Sequence, residues 1–183
     1  MKDKKGLILM ILGGGMIILS VILLLYNLYD EKRAERETNT ILSQLTEKMS
    51  QEPLENIQID GNYYIGYIEI PILFLSLPVL RDFSDSKLKI APARYFGNVQ
   101  ENNLIIAAHN YKSHFGYLSM ISIGDCISFH DTKGNIFYYE VTDIEEINEK
   151  DVESMFKGEW DLTLFTCDYT MKERITVRCS RTG

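Results

Sequence analysis

One stretch near the amino terminus limits what this chain can fold into more than any other feature. Residues Gly6–Tyr26, GLILMILGGGMIILSVILLLY, run through twenty-one positions without a charged side chain. As a helix rising about 1.5 Å per residue, the run would be about 31 Å long, which matches the hydrocarbon core of a bilayer. A cleaved signal peptide is the alternative. Its apolar core is usually about 7 to 15 residues long and ends in a small-x-small site, whereas this run is longer and such a site is missing here. We therefore expect residues 6–26 to be an uncleaved transmembrane anchor.

The charges on either side of this run predict its orientation. Three of the first five residues are lysines, whereas residues 30–37 mix three basic with four acidic side chains. Because positively charged ends stay in the cytoplasm, we expect residues 1–5 to form a cytoplasmic tail and the 157 residues after Tyr26 to lie outside the cell. No later apolar run approaches a length of about 18 residues, so the exported part should be water-soluble.

Composition excludes one class of partner and one class of scaffold. Residues 1–26 hold three of the 19 basic and one of the 26 acidic side chains, so residues 27–183 carry 16 against 25 and a net charge of −9. Such a surface, with no Lys/Arg run longer than a pair, is not expected to bind nucleic acid. Three cysteines are too few for a disulfide framework, and an odd number leaves at least one thiol free in a single chain.

The pattern of apolar residues divides the exported part into a linker and a mainly β domain. Residues 27–60 are polar, with apolar side chains at helical spacing that predict an amphipathic helix ending near Pro53. These side chains are Ile41, Leu42, Leu45 and Met49. Residues 61–183 contain short β-branched and aromatic runs separated by Gly, Pro, Asn and Asp, which indicate a barrel or sandwich. The expected strands are Tyr63–Ile70, Leu73–Leu80, Asn103–His109, Asp125–His130, Ile136–Ile144, Asp161–Cys167 and Arg174–Ser180.

Three connections between these strands carry local signals. Asp131–Asn135, DTKGN, predicts a hairpin turn in which Gly134 supplies a positive φ. Phe115–Ile121 is expected to form one helical turn. Asn148–Lys157 places apolar side chains on one helical face, which predicts a short helix in the long connection after the fifth strand.

The cysteines differ in their expected surroundings. Cys126 alternates with apolar neighbours and should face away from them, whereas Cys179 continues an apolar alternation and should face the core. Cys167 ends the run LTLFTC just before a polar loop, a usual place for a reactive group on a rigid scaffold. Six residues separate Cys167 from Arg174. If they join two antiparallel strands, the thiol and the guanidinium emerge on the same face about 4.5 to 5.5 Å apart at Cβ.

A cysteine nucleophile usually needs a base or a cation beside it, because its ordinary pKa leaves little thiolate at neutral pH. Of the three histidines, His109 is the best placed, since it ends the apolar run NLIIAAH as Cys167 ends its own. His114 lies in the following loop and His130 ends a strand before a turn. Arg178 should point to the same face as Arg174 but about 13 Å farther along the strand. Solvated strand residues are the alternative for both arginines.

Together these residues resemble the sortase family, the membrane-anchored cysteine transpeptidases of Gram-positive bacteria. TLFTC (Thr163–Cys167) is similar to the family's TLxTC signature, LIIAAHN (Leu104–Asn110) to its strand-ending His motif, and RITVRCSR (Arg174–Arg181) to its last strand. GYIEIPILFLSLPV (Gly66–Val79) resembles the opening strands. The resemblance covers about residues 63–181. It implies a closed β-barrel of seven to eight strands with short helices as the catalytic domain, residues 61–183.

The resemblance also implies an activity. Cys167 would be the nucleophile, His109 the acid/base partner and Arg174 the cation that holds the substrate's carbonyl oxygen. Sortases cleave an LPxTG-like sorting signal of a surface protein through a thioester. They then pass the acyl group to an amine of a cell-wall precursor or of a pilin lysine. No cofactor is expected.

Substrate-binding residues are carried over from the resemblance as well. The candidates are Ala108, Asn110, Thr166 and Arg178, together with Ile147, Val152, Phe156 and Trp160 in the 145–160 connection, where relatives recognise the sorting signal. Ordinary core contacts are the alternative for the last four. Five acidic residues of the same connection could bind calcium, and a solvated acidic face is the alternative. They are Glu145, Glu146, Glu149, Asp151 and Glu153.

Several departures from the family pattern leave the subclass open. Ala108 stands where the family usually has Gly, and the loop after Cys167 is short. HNYKSHFGYL and TCDY are most similar to class B, whereas the 145–160 connection is too short for the long helix of that class. Two other functions remain possible for the same chain. One is an extracellular cysteine endopeptidase using the same site, and the other is a non-enzymatic β-barrel scaffold.

Overall fold

The computed structural model of the chain describes residues 2–167 and 172–182. The chain divides into two compact units, Met1–Arg33 and Ala34–Gly183. The long helix α1 (Lys2–Gln51) contributes to both of them. It contains no proline, and it ends two residues before Pro53, whose ring and missing N–H disfavour continuation.

The first unit carries the apolar run. In the described residues one helical segment, Gly6–Gln51, is long and apolar enough to cross a membrane, with a window of mean hydropathy 2.8 that is 0% buried. An apolar helix long enough to span a bilayer is therefore confirmed, in agreement with a membrane anchor. Its orientation, with residues 1–5 in the cytoplasm, stays a prediction.

The second unit is a closed β-barrel. Within the described residues nine strands form one sheet: β1 (Ile57–Ile59), β2 (Asn62–Ile70), β3 (Leu75–Leu80), β4 (Ala93–Phe96), β5 (Leu104–Ala107), β6 (Cys126–Asp131), β7 (Ile136–Asn148), β8 (Leu162–Cys167) and β9 (Glu173–Arg181). Their order is β1-β2-β3-β4-β5-β8-β9-β7-β6, and β6 pairs back onto β2. The eight strands β2 to β9 thus close the barrel, and β1 pairs with the start of β2. The expected sortase-like barrel is confirmed.

Closure of the barrel depends on a glycine. β2 pairs with β3 on one edge and with β6 on the other, and Gly66 lies opposite Asp131 of β6. Gly66 has φ +148, and a Cβ atom at this position would collide with the carbonyl oxygen of His130. Only glycine combines this backbone conformation with so close an approach of the two strands.

The seven expected strands are all present, with boundaries shifted by a few residues. β7 is longer than expected and continues to Asn148, so the connection to β8 is shorter than the sequence indicated. The hairpin at Asp131–Asn135 is confirmed, and Gly134 has φ +89. The strands β1 and β4 were not predicted, because runs of three and four residues are too short for a period-two pattern to stand out.

Short helices connect the strands. They are α2 (Asp85–Leu88) and α3 (Val152–Met155), with 3-10 turns at Pro71–Leu73 and Leu118–Met120. α3 begins where the Asp151 side chain accepts a hydrogen bond from the Ser154 amide, the usual reason for a helix to start at Asp. The expected helical turn in 115–121 and the short helix in 148–157 are both confirmed.

Alternation along each strand produces an inner and an outer apolar layer. The barrel interior is filled by side chains such as Ile106, Phe129, Leu164 and Val177. On the outside, the second half of α1 packs on β1 to β4 through Ile41 and Leu45, among others. The compact unit therefore begins at Ala34, within the segment that the sequence indicated as linker. A third cluster, under α3, covers the outer face of β5 and β8.

Candidate active site

Two parallel strands end side by side at the place where the sequence motifs lie. β5 and β8 pair in parallel, with Ala107 opposite Phe165. The pairing continues by one residue, because the Ala108 amide donates to the Phe165 carbonyl at 3.1 Å. His109 and Cys167 each lie two residues beyond the Ala107–Phe165 pair. This register places His109, just past the end of β5, and Cys167, the last residue of β8, at the same end of the two paired strands.

Arg174 lies on the other side of Cys167. β8 and β9 are antiparallel, and Cys167 is the Cα partner of Arg174, as the sequence predicted. Directly opposed residues on one face have Cβ atoms about 4.5 to 5.5 Å apart. The Arg174 Cζ atom lies 5.5 Å from the centroid of the Phe165 ring, so the guanidinium extends over that ring. Cys167 is thus at the end of the central strand, between the strands of His109 and Arg174.

The side chains of Cys167 and Arg174 belong to the outer face of the barrel. Leu164 of β8 and Val177 of β9 point into the barrel core, whereas Phe165 belongs to the outer cluster under α3. Because side chains alternate along a strand, Cys167 points to the same face as Phe165. Arg174 is three residues from Val177, so it points to the face opposite to that of Val177. Ile105 and Ala107 of β5 belong to the same outer cluster, and His109 follows two residues after the last of them.

The three thiols differ in exposure as the sequence predicted. Cys167 and Cys126 are exposed thiols, whereas the Cys179 thiol is buried. Burial in the apolar barrel core raises the pKa of the Cys179 thiol to about 12, so this side chain stays protonated and unreactive. Cys167 combines exposure with Arg174 as its directly opposed strand partner, and a cation beside a thiol favours the reactive thiolate form.

The loop after β5 orients His109. The ring of Tyr111 stacks on the His109 imidazole with 4.1 Å between centroids and an interplanar angle of 11°. The His109 carbonyl accepts a hydrogen bond from the Phe115 amide at 3.2 Å, and the Tyr111 carbonyl accepts one from the Gly116 amide at 2.8 Å. A Cβ atom at Gly116 would lie 2.5 Å from the carbonyl oxygen of Asn110, so the tightness of this loop requires glycine. Sequence reasoning missed Tyr111, because nothing in the pattern shows that the loop turns back over the histidine.

Aromatic side chains cover the outer face next to the three residues. Tyr95 of β4 packs edge-on against Phe165, with 5.2 Å between centroids. Phe83 and Phe156 contact Tyr95 from two other sides, at 5.0 and 6.3 Å. Phe156 is 46% exposed and Phe83 39% exposed, so part of this aromatic surface is open to solvent. The alternation of side chains in TLFTC could have predicted that Phe165 lies on the same face as Cys167. Nothing in the sequence pattern indicated that Tyr95 and Phe83 pack on that face.

Arg178 is buried beneath α3. It is 1% exposed, and its guanidinium donates to the carbonyl oxygens of Ser154 and Met155, each at 2.8 Å. Its other bonds go to the Glu145 carboxylate at 2.8 Å and to the Thr163 hydroxyl at 3.1 Å. Arg178 therefore lies on the predicted face, and its side chain holds the end of α3. Its role in substrate binding stays a prediction.

The other substrate-binding candidates fall into two groups. Ala108 and Thr166 are buried on the inner face, where the Thr166 hydroxyl donates to the Ala108 carbonyl and joins the ends of β5 and β8. A contact of either residue with a ligand on the outer face would have to be made by the main chain. Val152 is 44% exposed, and Asn110 and Trp160 are partly buried. Ile147 is 4% exposed and belongs to β7, so it is a core contact.

No group of three or more His, Cys, Asp or Glu side chains in residues 2–167 and 172–182 is placed to hold a metal ion. Two of the acidic residues considered for calcium already have protein partners. Glu145 binds Arg178, and Asp151 accepts hydrogen bonds from the Ser154 amide and hydroxyl. The hydrogen bonds from Ser154 hold the pKa of the Asp151 carboxyl below its ordinary value.

The order and spacing of these residues match a known family. The family model of the sortase domain matches residues 68–182. The chain belongs to the sortase family. Sortase A of Bacillus anthracis is 30% identical over 118 residues, which cover 61% of this chain and 56% of that protein. The chain therefore aligns with little more than half the length of this curated relative.

Solved sortases share the fold. Sortase A from Corynebacterium diphtheriae gives a TM-score of 0.59 at 21% identity, covering 67% of this chain and 62% of that structure. Sortase C from Clostridium perfringens with the C-terminal cell wall sorting motif gives 0.58 at 21% identity, covering 83% and 95%. Sortases of both the A and the C type are thus similar to this chain, and they do not single out a subclass.

Proposed function

We propose that this sortase is a membrane-anchored cysteine transpeptidase in which Cys167 is the nucleophile, His109 the acid/base and Arg174 the cation at the reacting oxygen. The observation that carries the proposal is the strand register, with Cys167 opposite Arg174 in β9 and level with His109 beyond β5. Membership in the sortase family supports the same roles. The alternation along these strands supports a shared outer face for the three side chains.

The chemistry proceeds in two halves. The Cys167 thiolate attacks the peptide carbonyl carbon, and the electron pair of the C=O bond moves to the oxygen, where the fixed donors of Arg174 stabilise the charge. When the C–N bond breaks, its electron pair leaves with the nitrogen, which takes a proton from the His109 imidazolium. The products are a thioester on Cys167, a free amine and a neutral imidazole.

The second half reverses the proton transfer. An acceptor amine attacks the thioester carbonyl and gives a proton to the neutral His109 imidazole. The C–S bond breaks, and the sulfur leaves as the Cys167 thiolate. The new amide joins the two partners, and the site returns to its starting state with no oxidant, reductant or metal consumed.

The substrate is an LPxTG-like sorting signal of a surface protein, and the acceptor is an amine of a cell-wall precursor or a pilin lysine. The exposed aromatic surface of Phe83 and Phe156 beside Phe165 supports an apolar side chain in the recognised signal. Sortase C with a bound C-terminal cell wall sorting motif is a relative that recognises such a segment. The anchor at residues 6–26 would hold the catalytic domain at the outer side of the membrane.

The test is a transfer assay with the full chain in detergent micelles. An LPxTG-containing peptide and a glycine-based amine are incubated with the protein, and mass spectrometry follows the new amide and the thioester adduct on Cys167. Wild type should yield both, and Cys167→Ala should yield neither. Cys126→Ala is the matched control, because Cys126 is also an exposed thiol but lies on β6.

Two results would contradict the proposal. Release of free acid at the same rate with and without the amine would show a hydrolytic endopeptidase at the same site. Failure to form any thioester with a panel of peptides varied at the first and last motif positions would point to a scaffold without catalysis.

A further inference from the structure

The second half of α1 presents one row of side chains to the barrel. Ala34, Thr38, Ile41 and Leu45 are all less than 8% exposed, and their spacing places them on a single helical face. Three of them are apolar, and their burial needs no further explanation. Thr38 is polar and only 2% exposed, so its hydroxyl must find partners within the protein.

Those partners lie in two different loops of the barrel. The Thr38 hydroxyl donates to the carbonyl oxygen of Ile90 at 3.1 Å. It also lies 2.9 Å from Nε2 of His114, which is 0% exposed. Because the single hydroxyl proton is used on Ile90, the Thr38 oxygen accepts a hydrogen bond from Nε2–H of His114. One threonine of α1 thereby holds the imidazole of His114 in a defined orientation.

His114 in turn contacts the residue that orients His109. The Tyr111 ring meets the His114 ring edge-on, with 5.4 Å between centroids. The same Tyr111 ring also stacks in parallel on the His109 ring, with 4.1 Å between centroids. A buried hydrogen bond and two ring contacts therefore connect α1 with the proposed acid/base.

We propose that Thr38 is a positioning residue for His109, so that docking of α1 on the barrel is part of what makes the active site competent. The proposal rests on the function proposed above, because it assigns His109 the acid/base role. An imidazole that exchanges protons with two different amines must stay within hydrogen-bond reach of both. A small displacement of such a group costs rate more than it costs substrate binding. The helix that follows the anchor is then a structural element of the site as well as a tether.

The variants for the test differ by single groups. Thr38→Val keeps the shape and removes the hydroxyl, whereas Thr38→Ser keeps the hydroxyl. Thr38→Ala removes the hydroxyl without adding a methyl group, and it serves as a second variant with the same expected effects as Thr38→Val. Thr40→Val is the matched control, because the Thr40 side chain is exposed on the same helix and donates a hydrogen bond to the Arg36 carbonyl.

The first readout does not require activity. The chain has three histidines, so the ring signals of ¹⁵N-histidine in the full chain in micelles form a small, assignable set. Thr38→Val should shift the signals of His114 and of His109 and leave those of His130 in place, because His130 lies on β6 and contacts Tyr67 and Glu69. Thr38→Ser should restore the wild-type positions. If the His114 signal moves and the His109 signal does not, the inference is wrong.

The second readout is the transfer assay. Thr38→Val should lower kcat by about 3- to 10-fold, the size expected from one buried hydrogen bond, with KM changed by less than about 2-fold. Thr38→Ser should recover kcat, and Thr40→Val should match wild type. An unchanged kcat in Thr38→Val, or a loss of activity confined to KM, would overturn the inference. Absence of turnover in the wild-type chain would instead count against the proposed function, and the histidine signals would still report whether α1 reaches His109.

Discussion

The exposure and the charge environment of Cys167 and Arg174 depend on their positions along the strands. Cys167 and Cys179 lie twelve positions apart on paired strands, yet one is exposed beside a cation and the other is buried in the barrel core. Arg174 and Arg178 differ in the same way. Arg174 extends over Phe165 at the end of the strand pair, whereas Arg178 is covered by α3. Position along the strand and the element above it therefore decide the chemistry of identical residue types.

Replacement of Arg174 tests whether its guanidinium acts on the reacting oxygen. Arg174→Lys keeps the charge and removes the planar fork of donors, so kcat should fall by about 10²- to 10³-fold, as for the loss of an oxyanion-hole donor. Steady-state transfer kinetics provide the measurement. Arg181→Lys is the control, because Arg181 lies on the same strand, and its side chain bonds to Asn102 away from Cys167. Equal kinetics of Arg174→Lys and wild type would rule out this role.

At the scale of elements, the hydrogen bonds that join α3 to the barrel are concentrated on the Arg178 side chain. Arg178 donates to the carbonyl groups of Ser154 and Met155 at the end of this four-residue helix, which is too short to be stable alone. The Glu145 carboxylate of β7 neutralises the buried guanidinium. Thr163, the first residue of the TLFTC run, completes the set of partners. The positions of Val152 and Phe156 on the outer face thus depend on a contact made from β9.

Removal of Arg178 should loosen this element and destabilise the domain. Arg178→Met leaves two carbonyl groups and a carboxylate without their donor, and we expect the free energy of unfolding to fall by about 2–4 kcal/mol. Urea unfolding followed by circular dichroism gives the value. Arg181→Met, an exposed neighbour on β9, should change it by less than about 0.5 kcal/mol. A loss in Arg178→Met no larger than in Arg181→Met would mean that α3 is held by apolar contacts alone.

At the scale of the whole molecule, buried groups that cannot ionise make stability depend on alkaline pH. Burial raises the pKa of Tyr64 and of Tyr139 from 10.0 to about 12, and that of Cys179 from 9.0 to about 12. The unfolded chain loses these protons from about pH 9 upward, whereas the folded chain keeps them until about pH 12. Above pH 9 the unfolded state therefore binds fewer protons, and the free energy of unfolding decreases as the pH rises.

We expect this decrease to begin near pH 8 and to reach about 1.4 kcal/mol per pH unit for each group that is fully ionised only in the unfolded state. Urea unfolding between pH 8 and 11, in the presence of a phosphine reductant, measures it. Cys179→Val should flatten the part of the curve that begins near pH 9, where the Cys179 thiol is the first of the three to ionise. A curve of the same slope in this variant would show that the Cys179 thiol does not contribute.

Residue pattern was enough to predict the apolar helix at residues 6–26, the seven longer strands, the contrast between Cys167 and Cys179, and the pairing of Cys167 with Arg174. All of these follow from local periodicity or from residues that are close in the chain. Tertiary structure alone decided that Tyr111 stacks on His109, that Arg178 lies under α3, and that Thr38 reaches His114 from a segment that the sequence indicated as linker. These contacts join residues from different elements, and burial depends on which surface covers a side chain. A one-dimensional pattern shows the face on which a residue lies, but it does not contain the element that packs over that face.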